Sequence, residues 1–156
     1  MKSPTITPSI VEAPERVDIT IVELAASYRD WSTGYYRKNG EPTGHLQRVW
    51  AATAALVDLY GRITAKNFGP LKFQALQASL IAKGLSRNYI NSLMGDIRRA
   101  FRWASANELL SVSVYQSLGT VSGLKQGRSQ ARETAPVLPV DRSVVAATLA
   151  YLSGIA

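Results

Sequence analysis

Cysteine is absent from this 156-residue chain, and His45 is its only histidine. The first absence excludes disulfides, thiolate metal sites and cysteine nucleophiles, and it suits a cytoplasmic protein. The second excludes multi-histidine metal centres. Acids are few: 11 Asp and Glu against 18 Lys and Arg, and they are scattered, so a multi-carboxylate metal site is not expected. No apolar run approaches the ~20 residues of a membrane span, and the opening MKSPTITPSI has no apolar core of a secretory signal. Neither a Walker loop nor a GxGxxG fingerprint is present. No residue marks a nucleophile for His45, so a hydrolase triad is not expected. These absences together predict a chain with no catalytic residues, no metal and no cofactor.

What is present is apolar residue in quantity, 46% of the chain, enough for a real core, and positive charge. Net charge is +7. From Lys83 to Arg132 eight cations face two acids, Asp96 and Glu108, for a net +6 in that window. A region of this kind suits a polyanion, because each neutralised phosphate releases condensed counterions.

The charge centres on Ser86–Ala104, SRNYINSLMGDIRRAFRWA. As a helix its apolar residues are Tyr89, Ile90, Leu93, Met94, Ile97, Ala100, Phe101 and Ala104, at the three- and four-residue steps of a buried stripe. Arg87, Asn91, Gly95, Arg98 and Arg102 share one flank, with Asn88 and Arg99 beside them; Asp96 is placed on the far flank. Arginine and asparagine are the residue types that read guanine and adenine in a major groove. Gly95 would admit a phosphate close to the backbone, and Ser86 with the first-turn amides would hold one. Trp103 lies outside the stripe. Because Arg98 and Arg102 both lie off the stripe, replacing them together is expected to weaken DNA binding without unfolding.

The remaining elements follow from caps and breakers. Residues 1–19, with Pro4, Pro8 and Pro14, read as a flexible tail. Thr20 and Glu23 form a capping box for a first helix with Ile21, Leu24, Tyr28, Trp31 and Tyr35 on one face. Asn39-Gly40 and Pro42-Thr43 mark a turn bearing Arg37 and Lys38. A second helix, about Thr43 to Tyr60, buries Leu46, Val49, Trp50, Leu56, Val57 and Tyr60. Gln47, Arg48, Ala51, Ala55 and Asp58 are on its other face. Ile63 and Phe68 plug the core from the next connection. Pro70 opens a third helix that ends near Ala82. A short closing helix lies after Asn107. The stretch 120–140 is rich in Gly, Ser, Pro and cations, including Lys125, Arg128 and Arg132, and reads as a linker. Asp141 caps a last helix. No strand shows convincing alternation. The expected fold is all-α, a compact bundle of four to five helices with flexible tails.

Four stretches, YYRKNGEPTG, LYGRITAKNFGP, GLSRNYINSLMGDIRRAFRWA and GLKQGRSQARETAPVLPV, carry a resemblance. In this order and spacing the chain resembles the N-terminal, core-binding half of phage-type integrases, the tyrosine recombinases, of planctomycete type. The resemblance implies a SAM-like helical domain (residues 20–119) forming half of a clamp on double-stranded DNA. It also implies a basic interdomain linker (120–140) and the first helix of a truncated catalytic domain (141–156). It implies a role in DNA integration and recombination in the nucleoid, with four copies of the full protein on DNA and this fragment monomeric. Its second and fourth helices lie against the major groove, which carries the role to Gln47 and Arg48, and to Ser86, Arg87, Asn88, Asn91, Arg98, Arg99 and Arg102. Lys125, Arg128 and Arg132 would track the backbone. The family's catalytic arginine, lysine, His-x-x-Arg and tyrosine are not matched: His45-Leu46-Gln47-Arg48 fits the string but lies in the DNA-binding half, and Tyr151 lacks activating partners. Two other classes remain open on the residues alone: a helical protein-interaction module, and a helix-turn-helix transcription regulator.

Overall fold

The computed structural model describes residues 18–139 and 141–153. The tail expected over residues 1–19 lies outside them except for Asp18 and Ile19. Those two are fixed: the Ala65 amide donates to the Ile19 carbonyl at 2.8 Å, and Lys66 pairs with Asp18.

Helix α1, Ile21–Tyr35, starts at the capping box. The Glu23 amide donates to Thr20 Oγ1 at 3.4 Å, and the Thr20 amide to Glu23 Oε2 at 2.8 Å. The Thr20 donors hold the Glu23 carboxyl below the usual carboxylate range. Asn39 and Gly40 then take φ of 52° and 82°. Two consecutive positive φ values make the tight turn whose twist matches an antiparallel pair. Strands β1 (Arg37–Lys38) and β2 (Glu41–Pro42) flank it, with Arg37 opposite Pro42 and Lys38 opposite Glu41. Strands of two residues have no alternation to read, so the sequence shows only the turn.

Helix α2, Gly44–Tyr60, buries Leu46, Val49, Ala52, Thr53 and Leu56. The face is rotated from the one expected. Trp50 is half exposed, under the Arg29 guanidinium at 5.6 Å, while Ala51 and Ala55 pack against the core. A short 3-10 turn, Ala65–Asn67, carries Phe68 into the centre. Phe68 stacks on Phe101 at 5.2 Å and meets Phe73 and Tyr60 edge-on. Helix α3, Pro70–Ala82, buries Phe73, Leu76 and Leu80 and stops before Gly84, at φ 74°. Each large apolar side chain so enclosed contributes about 1.5–3 kcal/mol.

Helix α4, Arg87–Ala106, is the axis of the bundle: α1, α2, α3 and helix α5, Val112–Leu118, all pack on it. Ile90, Leu93, Met94, Ile97, Ala100, Phe101 and Ala104 are buried as the stripe requires. Tyr89 is 39% exposed, and Asp96, expected on the far flank, is buried at 1%. Trp103 packs on Tyr28 and Trp31.

The bundle is all-α, and it continues into the stretch read as a linker. Val121 and Ala131 are buried in the core. Ser86 bridges to Arg132, and the Arg87 amide donates to the Arg132 carbonyl at 2.9 Å. Packing contacts therefore reach Glu133, well past residue 119. Helix α6, Arg142–Ser153, starts where Asp141 Oδ1 accepts from the Ser143 amide at 2.8 Å. Val144 and Thr148 are exposed; the side chains of Val145, Leu149, Tyr151 and Leu152 lie outside the described residues.

Candidate nucleic-acid interface

The polar flank of α4 splits into two rows, and the helical repeat explains the split. Residues 87, 91 and 98 form one row, and residues 88, 92, 95, 99 and 102 the next, about 100° further round. The first row faces the chain after α5. The second faces outward.

In the inward row every polar side chain is engaged. Arg87 Nε donates to both Glu133 oxygens, at 2.9 and 3.0 Å. Asn91 Nδ2 donates to the Leu124 carbonyl at 2.9 Å, and Asn91 Oδ1 accepts from the Leu124 amide at 2.8 Å. Arg98 lies over the Phe73 ring at 5.2 Å, donating Nε to the Leu118 carbonyl at 3.2 Å and Nη2 to that of Val121. The Leu118 carbonyl ends α5, where a cation is favoured, and the Val121 carbonyl lies three residues beyond it. Ser86 is buried and accepts from the Tyr89 amide at 3.4 Å. Two of the first-turn amides at this helix N-terminus, those of Arg87 and Tyr89, already have acceptors in the Arg132 carbonyl and Ser86 Oγ. Arg87, Asn91, Arg98 and Ser86, expected to face DNA, instead fasten residues 118–133 to α4.

In the outward row Asn88, Arg99 and Arg102 are exposed, and Ser92 and Gly95 are partly so. A Cβ on Gly95 would lie 3.9 Å from Arg99 Nη2, so the Arg99 side chain folds back over it. Beside this row stands the first turn of α2. Arg48 Nε donates to Asp96 Oδ2 at 2.6 Å, and Arg99 Nη1 to Asp96 Oδ1. Arg48 also donates Nη2 to His45 Nδ1 at 2.6 Å. A guanidinium has only donors, so His45 Nδ1 is unprotonated and the neutral ring carries its proton on Nε2. That atom is buried, 3.4 Å from Asp96 Oδ1. Burial lowers the His45 pKa; Asp96 opposes this, and the two arginines reinforce it. The Arg48 pKa is raised, chiefly by its bond to Asp96.

With a neutral histidine, one carboxylate holds two guanidiniums, and the cluster keeps a net positive charge. It fixes Arg48 and Arg99 while leaving their outer edges in solvent, at 32% and 50% exposure. Gln47 is exposed on the same turn of α2. Lys125, Arg128 and Arg132 are exposed on the packed segment. Among the described residues no carboxylate pairs with Arg102, Lys125, Arg128 or Arg132.

Sequence reasoning missed Asp96 as an anchor. Asp96 and Arg99 are three apart, a spacing that allows a pair on one helix, but Arg48 is 48 positions away. It also assigned Trp31 and Tyr35 to the core stripe; they are 37% and 64% exposed beside Arg99 and Arg102. No family model matches the chain, and neither a curated protein nor a solved structure matches it.

Proposed function

We propose that this chain binds double-stranded DNA, with the outward row of α4 and the first turn of α2 against the duplex, as the DNA-holding domain of a phage-type tyrosine recombinase. The observation that carries the reading is the convergence of Arg48 and Arg99 on the buried carboxylate of Asp96. Two guanidiniums are oriented before any ligand arrives, next to Arg102, Gln47 and Asn88. An ordered fork suits the planar edges of phosphate and guanine, and less conformational freedom is lost on binding. Lys125, Arg128 and Arg132 extend the cationic surface for the backbone. The recombinase part rests on the four resembling stretches and on an all-α bundle of the kind they imply.

In this reading the chain holds DNA and does not cut it. The nucleophilic tyrosine, which would store phosphodiester energy in a tyrosyl-phosphate, belongs to a catalytic unit acting with this domain. Titration of a short labelled duplex with the protein at low ionic strength tests the reading. Saturable binding is expected, and no binding at low salt overturns it.

A further inference from the structure

Beside the proposed duplex face lies an open cleft of about 300 Å³. Its walls are aromatic: Trp31 and Tyr35 from α1, Tyr36 at the start of the hairpin, and Trp103 from α4. Arg99 and Arg102 line it as well. Trp31 and Tyr35 stack at 4.5 Å and 19°, and Tyr36 stands edge-on to Tyr35 at 5.0 Å and 88°. Tyr28 closes the deep end, buried, with its hydroxyl pKa raised by burial and by Tyr36.

A fully structural role would bury these rings. Instead Tyr35 is 64% exposed and Trp31 37% exposed, an apolar surface left in water next to two cations. Aromatic clefts also take quaternary ammonium groups, which are drawn to the ring faces. The two guanidiniums exclude such a ligand by charge. They favour one with a flat π face and an attached anion, and a nucleotide has both. The volume is at the small end of ordinary ligand pockets, fit for a single base rather than a stacked pair.

From this geometry we infer that the cleft binds an unstacked nucleotide of a nucleic-acid strand, its phosphate on Arg99 and Arg102 and its base on the outer face of Tyr35, a ring held in place by Trp31, which is itself stacked between Tyr28 and Tyr35. The inference rests on the neighbouring face being a nucleic-acid surface, and it adds a single-strand site to it. Bases stack on aromatic side chains whatever their sequence, because every base has a π face.

The test compares a short oligothymidine strand with an abasic strand of the same length, which keeps the phosphates and lacks the bases. The intact chain should bind oligothymidine about tenfold more tightly, the size of one stacking contact. Tyr35→Ala and Trp31→Ala should each bring oligothymidine down toward the abasic level, Tyr35→Phe should keep the difference, and duplex affinity should stay within about twofold. Circular dichroism confirms folding; Tyr35, at the exposed end of α1, gives a readable variant if Trp31→Ala misfolds. Equal affinity of the intact chain for the two strands overturns the inference, as does undiminished oligothymidine binding by Tyr35→Ala. Duplex binding without oligothymidine binding overturns it while leaving the duplex reading standing. Base-dependent oligothymidine binding without duplex binding supports it and overturns the duplex reading alone.

Discussion

Arg48 and Asp96, 48 positions apart in the chain, meet at 2.6 Å across the α2–α4 contact, and the carboxylate is buried at 1% while the arginine reaches solvent. One buried charge thus sets the orientation of two surface cations. The carboxylate is retained in the interior because Arg48 and Arg99 compensate it on both oxygens. It is also what turns two flexible side chains into a fixed surface.

Asp96→Ala removes that anchor. Since Arg48 and Arg99 can turn to solvent, the cost is below that of breaking a fully buried pair, about 1–3 kcal/mol. Chemical denaturation should show the loss, and duplex affinity should fall even though net positive charge rises. Tighter duplex binding would mean that charge alone governs the interface.

His45 makes stability pH-dependent. Its folded pKa is lowered from 6.5, so the unfolded chain takes up a proton first as pH falls. Stability from this group is complete above the unfolded value and declines as pH drops through about 6.5, levelling once the folded form is also protonated. Protonation puts a hydrogen on Nδ1 and breaks the bond from Arg48. Denaturation midpoints at about pH 7.5 and pH 5.5 should differ for the intact chain and differ less for His45→Gln. An equal fall in both would place the effect elsewhere.

Asn91 clamps the segment after α5. Both its amide atoms are bonded to the Leu124 backbone. Asn91→Ala should cost about 1 kcal/mol, since the Leu124 backbone groups it releases are partly buried. Limited trypsin digestion should then cut faster at Lys125 and Arg128. Unchanged cleavage would refute the clamp.

Gly95 sits mid-helix on the outward row with room for a Cβ. Gly95→Ala should stabilise α4 by about 1 kcal/mol on propensity. If the duplex backbone approaches there, affinity should fall at the same time. A variant both more stable and equally tight would move the contact away from Gly95.

Local chemistry was legible in the sequence. Thr20 with Glu23, Ser86, Pro70, Gly84 and Asn39-Gly40 act over a few residues, and each marks the boundary it predicts. The apolar stripe of α4 was legible for the same reason, since its period is set by the helix itself. What could not be read was which part of the polar flank faces water. Arg98 and Arg102 are four apart and chemically identical. Arg98 is turned inward by the carbonyls of Leu118 and Val121, which only the fold brings near. The stretch 120–140 reads as a linker because its Gly, Ser and Pro content is loop-like. Val121 and Ala131, with Leu124 against the core and the bonds from Arg87, Asn91 and Arg98, seat it on the bundle.

The division of α4 into an inward and an outward row also revises the expectation that Arg98 and Arg102 can be replaced together at no cost to the fold. Arg98→Ala should lose about 1–3 kcal/mol of stability by taking the donor from the Val121 carbonyl and the cation from the end of α5, whereas Arg102→Ala should leave stability within about 0.5 kcal/mol. The most direct measurement is duplex affinity across a salt series for the intact chain and both variants. The account predicts that log K falls linearly with log salt, that the slope is shallower by about 1 in Arg102→Ala, and that it is unchanged in Arg98→Ala. Salt-independent binding, or a slope altered by Arg98→Ala and not by Arg102→Ala, would contradict it.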